Sequence, residues 1–109
     1  MVKLNINRFE VWLVNLNPTI GREINKTRPC IVISPNEISA LSTVIVAPMT
    51  SKGFVYPCRV ECEFIGKKGL ILLDQMRAVD KVRLVKNLGT LSDSTQVKLC
   101  ASLQELFAF

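Results

Sequence analysis

A carboxylate and a guanidinium stand close together in the stretch Gly21-Arg22-Glu23-Ile24-Asn25-Lys26-Thr27-Arg28-Pro29-Cys30-Ile31-Val32-Ile33-Ser34. Pro29 has no N–H and pushes Arg28 into an extended conformation, so Arg28 falls where a polar loop becomes an apolar strand. A planar cation on a stiff strand, with Glu23 within reach in the same loop, suits a phosphate. The same pair also suits a plainer role, in which Glu23 and Arg28 pin the loop. The chain contains no histidine, so catalysis here must proceed without the commonest acid–base side chain.

The elements that must position this pair follow from periodicity. Phe9–Leu16 is rich in branched and aromatic residues and reads as a first strand, broken by Asn17-Pro18-Thr19. Pro29–Ser34 is a second strand, apolar enough to be central in a sheet. Glu37–Leu41 suits a short helical piece. Thr43–Met49 is a third strand, whose Pro48 predicts an edge or a bulge at its end. The polar loop Thr50–Pro57 follows. Cys58, Val60, Cys62 and Phe64 alternate with Arg59, Glu61 and Glu63, as in a strand half exposed to water. Gly66-Lys67-Lys68-Gly69 reads as a hairpin turn, Leu70–Leu73 as a buried strand, and Arg83–Leu88 as a last one. Ser92-Asp93-Ser94 offers N-caps for a terminal helix from about Thr95, apolar over more than one stripe at Val97, Leu99, Cys100, Leu103, Leu106 and Phe107. Short strands followed by one helix predict a small β-barrel in a single domain spanning residues 1–109.

Composition bounds the partners. A net charge of +5 and a pI near 9.3 favour an anionic partner, nucleic acid or an acidic protein. The N-terminus lacks a signal-like apolar core and no run approaches the roughly 18 apolar residues that span a bilayer, which predicts a cytoplasmic protein with no membrane association. Cys30, Cys58, Cys62 and Cys100 read as reduced, packed thiols; without histidine the ligand set for a metal is thin. Neither a metal nor another cofactor is expected.

Several ordered motifs resemble one family. Trp12-Leu13-Val14-Asn15-Leu16-Asn17-Pro18-Thr19, Gly21-x-Glu23 with Arg28-Pro29, Val44-Ile45-Val46-Ala47-Pro48-Met49-Thr50-Ser51 and Leu73-Asp74-Gln75-Met76-Arg77 look like the MazF/PemK toxins of type II toxin–antitoxin systems, in order and spacing from about Arg8 onward. The resemblance implies a mainly β fold with a C-terminal helix, the small SH3-like β-barrel of MazF, PemK and CcdB-type toxins. It implies a homodimer, neutralised by a cognate antitoxin protein. It also implies metal-independent, sequence-specific cleavage of single-stranded RNA, usually messenger RNA, by 2′-OH attack, leaving a 2′,3′-cyclic phosphate and a 5′-OH. The family's catalytic arginine and threonine match Arg28 and Thr50, and its loop glutamate matches Glu23.

The residue chemistry accommodates that reaction. Glu23 can serve as base or orient Arg28; Arg28 can hold the scissile phosphate; Thr50 can offer its hydroxyl to a phosphoryl oxygen. Ser51 is a second donor there. Arg22, Lys26, Lys52 and Arg77 are candidate RNA contacts. Asp74 suits RNA binding, loop bracing or, as in some relatives, catalysis, and Gln75 suits reading a base edge or bracing the site. Phe54 and Tyr56 suit stacking on bases or packing over the barrel mouth. The sequence departs from the family where glycine commonly follows the first-strand arginine, here Phe9, and after the loop glutamate, here Ile24-Asn25-Lys26-Thr27. Two other classes share parts of this pattern. A same-fold toxin acting on DNA gyrase by protein binding has no need of Glu23, Arg28 and Thr50 together. A non-catalytic RNA-binding barrel would bind RNA in a salt-dependent way and create no new ends.

Overall fold

The computed structural model describes residues 5–16 and 27–108. Three antiparallel strands form its centre: β1 (Glu10–Asn15), β2 (Thr27–Val32) and β3 (Thr43–Thr50). Their apolar runs are nearly continuous because both faces are buried. Val11, Ile31, Ala47 and Met49 face one core, while Trp12, Val14, Cys30, Val32, Val44 and Val46 face a second. Trp12 is a core residue, and its indole N–H donates to Glu10 Oε1 at 3.0 Å. Burial pushes the Cys30 thiol up to about 12, against the opposing charges of Arg77 and Arg28. All four cysteines are free thiols.

The remaining strands are β4 (Arg59–Phe64), β5 (Lys67–Leu72), β6 (Arg77–Asp80) and β7 (Leu84–Thr90), with short 3₁₀ turns at Asn36–Ile38, Leu73–Gln75 and Lys81–Arg83. The sheet order is β4-β5-β3-β2-β1-β7, and β6 pairs with β3 off that path. β3 is therefore forked. Thr43–Val46 pair with β6, whereas Met49 and Thr50 pair with Ile71 and Leu70 of β5. Pro48, which has no N–H to give, stands at the changeover. It marks a fork in a strand paired on both sides rather than the edge or bulge at the strand's end that the sequence predicts.

The sheet curls so far that its two ends meet through a side chain. A Cβ on Gly89 of β7 would lie 3.3 Å from Phe64 Cζ of β4, so Phe64 covers the glycine. The mainly β half-barrel with one C-terminal helix agrees with the expected fold class. That helix, α1 (Asp93–Leu106), begins two residues before the predicted start. Ser92 is its cap, accepting from the Thr95 N–H at 3.4 Å. Leu99 is its fully buried anchor, whereas Val97 and Phe107 are each 70% exposed. No helix among the described residues is long and apolar enough to cross a membrane.

Two turns carry unusual backbone. The β4–β5 hairpin turns at Ile65-Gly66, with φ of 51° and 74°, and Phe64 pairs with Lys67. The four-residue turn Phe64–Lys67 is two residues earlier than the Gly66–Gly69 turn that the sequence predicts. Both central residues have positive φ, the signature of a type I′ hairpin, and Gly66 satisfies it without strain. Gly69 serves a different purpose inside β5: a Cβ there would stand 2.8 Å from the Thr50 carbonyl oxygen. Phe9, placed where relatives commonly have glycine, has φ of 73° and so occupies the left-handed region that glycine favours. Its ring packs on the first core and lies 5.0 Å below the Arg8 guanidinium.

Candidate active site

The β2–β3 register builds the site. Cys30 lies opposite Pro48, and from this pair β2 runs back to Arg28 while β3 runs on to Thr50. Arg28 is half-buried, across from Val14 on β1. Thr50 is fixed from its other side by Leu70 of β5. Its hydroxyl oxygen accepts from the Lys52 N–H at 3.2 Å, which orients the group and leaves its O–H free to donate. Arg28, Thr50 and Ser51 line one groove of about 350 Å³.

The groove adds residues that sequence reading did not pick out. Lys67 and Lys68 of β5 form its far wall with Phe64, Ile65 and Leu88. The two lysines lie inside the segment taken for a turn, so their membership depends on the curl of the hairpin over β3. Gly69 lies between them and Thr50, and its missing side chain is what lets β5 approach so closely. A groove with one arginine, two lysines, two hydroxyls and an apolar floor is chemically suited to a phosphodiester with a base beside it.

The other candidates fall in separate places. Asp74 and Gln75 are on the 3₁₀ turn Leu73–Gln75 that follows β5. Asp74 is tied to Arg59: Nε donates to Oδ1 and Nη2 to Oδ2, each at 3.2 Å. Partial burial works against the Asp74 charge, yet hydrogen bonds from Arg59, the backbone and Cys58 outweigh it and hold the carboxyl below the usual aspartate range. The Arg59 guanidinium is raised above its ordinary value, chiefly by the same bond. Arg59 is therefore engaged rather than one of a plain row of solvated charges with Glu61 and Glu63. Lys52 is exposed in the loop after Thr50. Arg77, on β6, does not line the groove; its Nη1 donates to the Leu16 carbonyl at 3.4 Å. Arg22, Glu23 and Lys26 lie outside the described residues.

The family of PemK-like, MazF-like toxins of type II toxin–antitoxin systems matches residues 7–107. This chain belongs to that family. A curated relative, the endoribonuclease MazF of Staphylococcus epidermidis, is 36% identical over 102 residues, spanning 86% of this chain and 84% of that protein. In fold the chain is similar to MazF from Deinococcus radiodurans, with a TM-score of 0.82 at 23% identity over 98% of this chain and 100% of the other. It is likewise similar to a mycobacterial endoribonuclease solved in complex with its cognate antitoxin, with a TM-score of 0.78 at 18% identity over 93% of each chain.

Proposed function

We propose that this MazF-family chain is the toxin of a toxin–antitoxin pair and acts as a sequence-specific endoribonuclease on single-stranded RNA. The observation that carries the reading is one groove lined by Arg28, Thr50, Ser51, Lys67 and Lys68. In the proposed reaction a base takes the proton of the substrate 2′-OH, and the 2′-oxygen forms a bond to phosphorus. The phosphorus–O5′ bond then breaks, yielding a 2′,3′-cyclic phosphate and a 5′-oxygen that takes up a proton. Arg28 neutralises the charge that builds on the phosphoryl oxygens, and Thr50 donates a hydrogen bond to one of them. Asp74 is poorly suited to be the base, because both its oxygens already accept from Arg59 and its basicity is lowered. Glu23, the loop glutamate that matches the family's, is the base in this reading.

The chain works without a metal in this reading, as a cytoplasmic homodimer restrained by an acidic antitoxin segment laid over the basic groove. The S. epidermidis relative is named an endoribonuclease and the mycobacterial neighbour was solved with its antitoxin, which supports both parts of the proposal. The test is cleavage of a long unstructured RNA in the presence of EDTA, beside Arg28→Ala. Discrete fragments with 5′-OH ends, absent from the variant, are the expected result. Intact RNA with well-folded protein would sink the nuclease reading and leave the gyrase-directed or binding-only alternatives.

A further inference from the structure

The loop that leaves β3 at Thr50 and enters β4 at Arg59 displays three consecutive large apolar residues. Phe54 is 74% exposed, Val55 63% and Tyr56 50%. A patch of this kind, rimmed by polar groups, marks a surface that something covers. Its rings are not arranged at random. Phe54 and Tyr56 meet edge to face, with centroids 6.4 Å apart and planes at 68°.

Arg59 organises the loop from within. Besides its two bonds to Asp74, its Nη1 donates to the Phe54 carbonyl at 3.3 Å, and its guanidinium carbon lies 4.9 Å from the centre of the Tyr56 ring. One side chain thus holds the backbone of the first aromatic, the face of the second, and the turn that ends β5. Gly53 lets the loop fold back onto this centre. Its φ is 119°, and a Cβ there would stand 3.4 Å from Arg59 Nη1 and 3.8 Å from Leu70 Cδ1. Leu70 is the cross-strand partner of Thr50. The aromatic pair is therefore fixed to the framework that fixes the Thr50 hydroxyl. Phe54 follows Thr50 by four residues, at most ~14 Å of extended chain.

We propose that Phe54 and Tyr56 form a stacking platform for unpaired RNA bases next to the scissile phosphate, with Arg59 as its positioning residue. The proposal rests on the RNA-cleavage reading above and adds the part of the surface that grips flanking nucleotides. Single-stranded RNA is favoured as the occupant because the patch begins four residues after Thr50, which lines the groove with Arg28, and Lys52 lies in the same loop to meet a phosphate. Lys67 and Lys68 extend the positive charge on the other side. Asp74 already neutralises Arg59, so Arg59 acts by holding the rings in place, and Lys52 supplies the long-range attraction.

The test has two arms. In the first, short 2′-O-methyl oligonucleotides, which cannot be cleaved, carry 2-aminopurine walked along the strand, and fluorescence is read on binding. Wild-type protein quenches the probe at one or two positions. Phe54→Ala and Tyr56→Ala abolish the quenching and weaken binding roughly 5- to 150-fold, the range for loss of one stacked base. Phe54→Trp preserves both. In the second arm, the same variants acting on cleavable RNA show the change in KM, with kcat little altered. Arg59→Lys, checked by circular dichroism for retained fold, loses quenching as the alanine variants do, although its charge is kept. Unaltered quenching and KM in the Phe54→Ala/Tyr56→Ala double variant would overturn the proposal. So would normal RNA binding combined with lost binding of an acidic antitoxin peptide, which would make the patch a protein-docking surface. A wild type that quenches the probe but cuts nothing would sink the nuclease reading while leaving the platform standing, so the two failures are distinguishable.

Discussion

Two arginines border the loop that follows β3, and they are used in opposite ways. Arg59 is saturated: a carboxylate, a backbone carbonyl and an aromatic ring occupy its guanidinium. Arg28 faces the groove, and among the described residues no carboxylate pairs with it. The contrast separates two functions of the same side chain. An arginine whose bonding capacity is spent within the protein becomes a fixture that shapes a loop. An arginine left facing a groove retains that capacity for a ligand, and the bond it withholds from the protein is available to a transition state.

The sharpest way to break this contrast is to remove the open arginine. Arg28→Ala is expected to lower kcat by roughly 10²–10³-fold while leaving the melting temperature nearly unchanged, and Thr50→Val by a similar order through loss of its donor. Steady-state cleavage measured beside thermal melting checks this. A fall in melting temperature as large as that of an Arg59 variant would mean that Arg28 is structural after all.

Gly69→Ala comes next. The added methyl would press on the Thr50 carbonyl at 2.8 Å, a backbone atom that cannot swing aside. A loss of about 1–3 kcal/mol in stability is expected, the usual cost of overpacking, together with lower activity, although Gly69 offers no functional group. Denaturant titration and a cleavage assay on one preparation would show whether the two losses travel together.

Acid tests the saturated arginine. The Asp74 carboxyl titrates below its ordinary value in the folded state, so its pairing contributes stability above the unfolded pKa, near ~3.9, and loses that contribution as pH falls through the lower folded value. Melting temperatures from pH 6 downward should fall more steeply for the wild type than for Asp74→Asn in this acidic window. Parallel curves would show that the pair is inert.

The smallest effect is expected at the hairpin turn. Ile65 has φ of 51° and is 71% exposed, so Ile65→Asn removes strain without uncovering a core. A gain of about 1 kcal/mol should appear in the denaturation midpoint.

What the sequence made legible depended on whether the cause was local. The alternation of Val60 and Cys62 with Glu61 and Glu63 is a local consequence of the pleat, and the burial follows it residue by residue. Arg28 and Thr50 were legible through motifs that share their order with a family, and the fold brings both to one groove. Gly69 was misread as a turn residue because its reason is a carbonyl on another strand. Lys67 and Lys68 were hidden by the same error. Arg59 looked like one of three solvated charges because its partner, Asp74, is fifteen residues away along the chain. Glycine and arginine are often governed by distant contacts, and periodicity has nothing to say about those.

The fork in β3 has a consequence for how the molecule fails on heating. Among the described residues, the β4–β5 hairpin pairs with the central strands through Met49–Ile71 and Thr50–Leu70, its other hold on them being side-chain packing in the first core. One of these pairings contains the hydroxyl on which the proposed chemistry depends. Fraying at that junction separates Thr50 from Lys67 and Lys68 while β1, β2 and β6 remain paired around the second core. Activity is then expected to fade at a lower temperature than the central strands melt, and to return on cooling, when cleavage is read beside thermal unfolding.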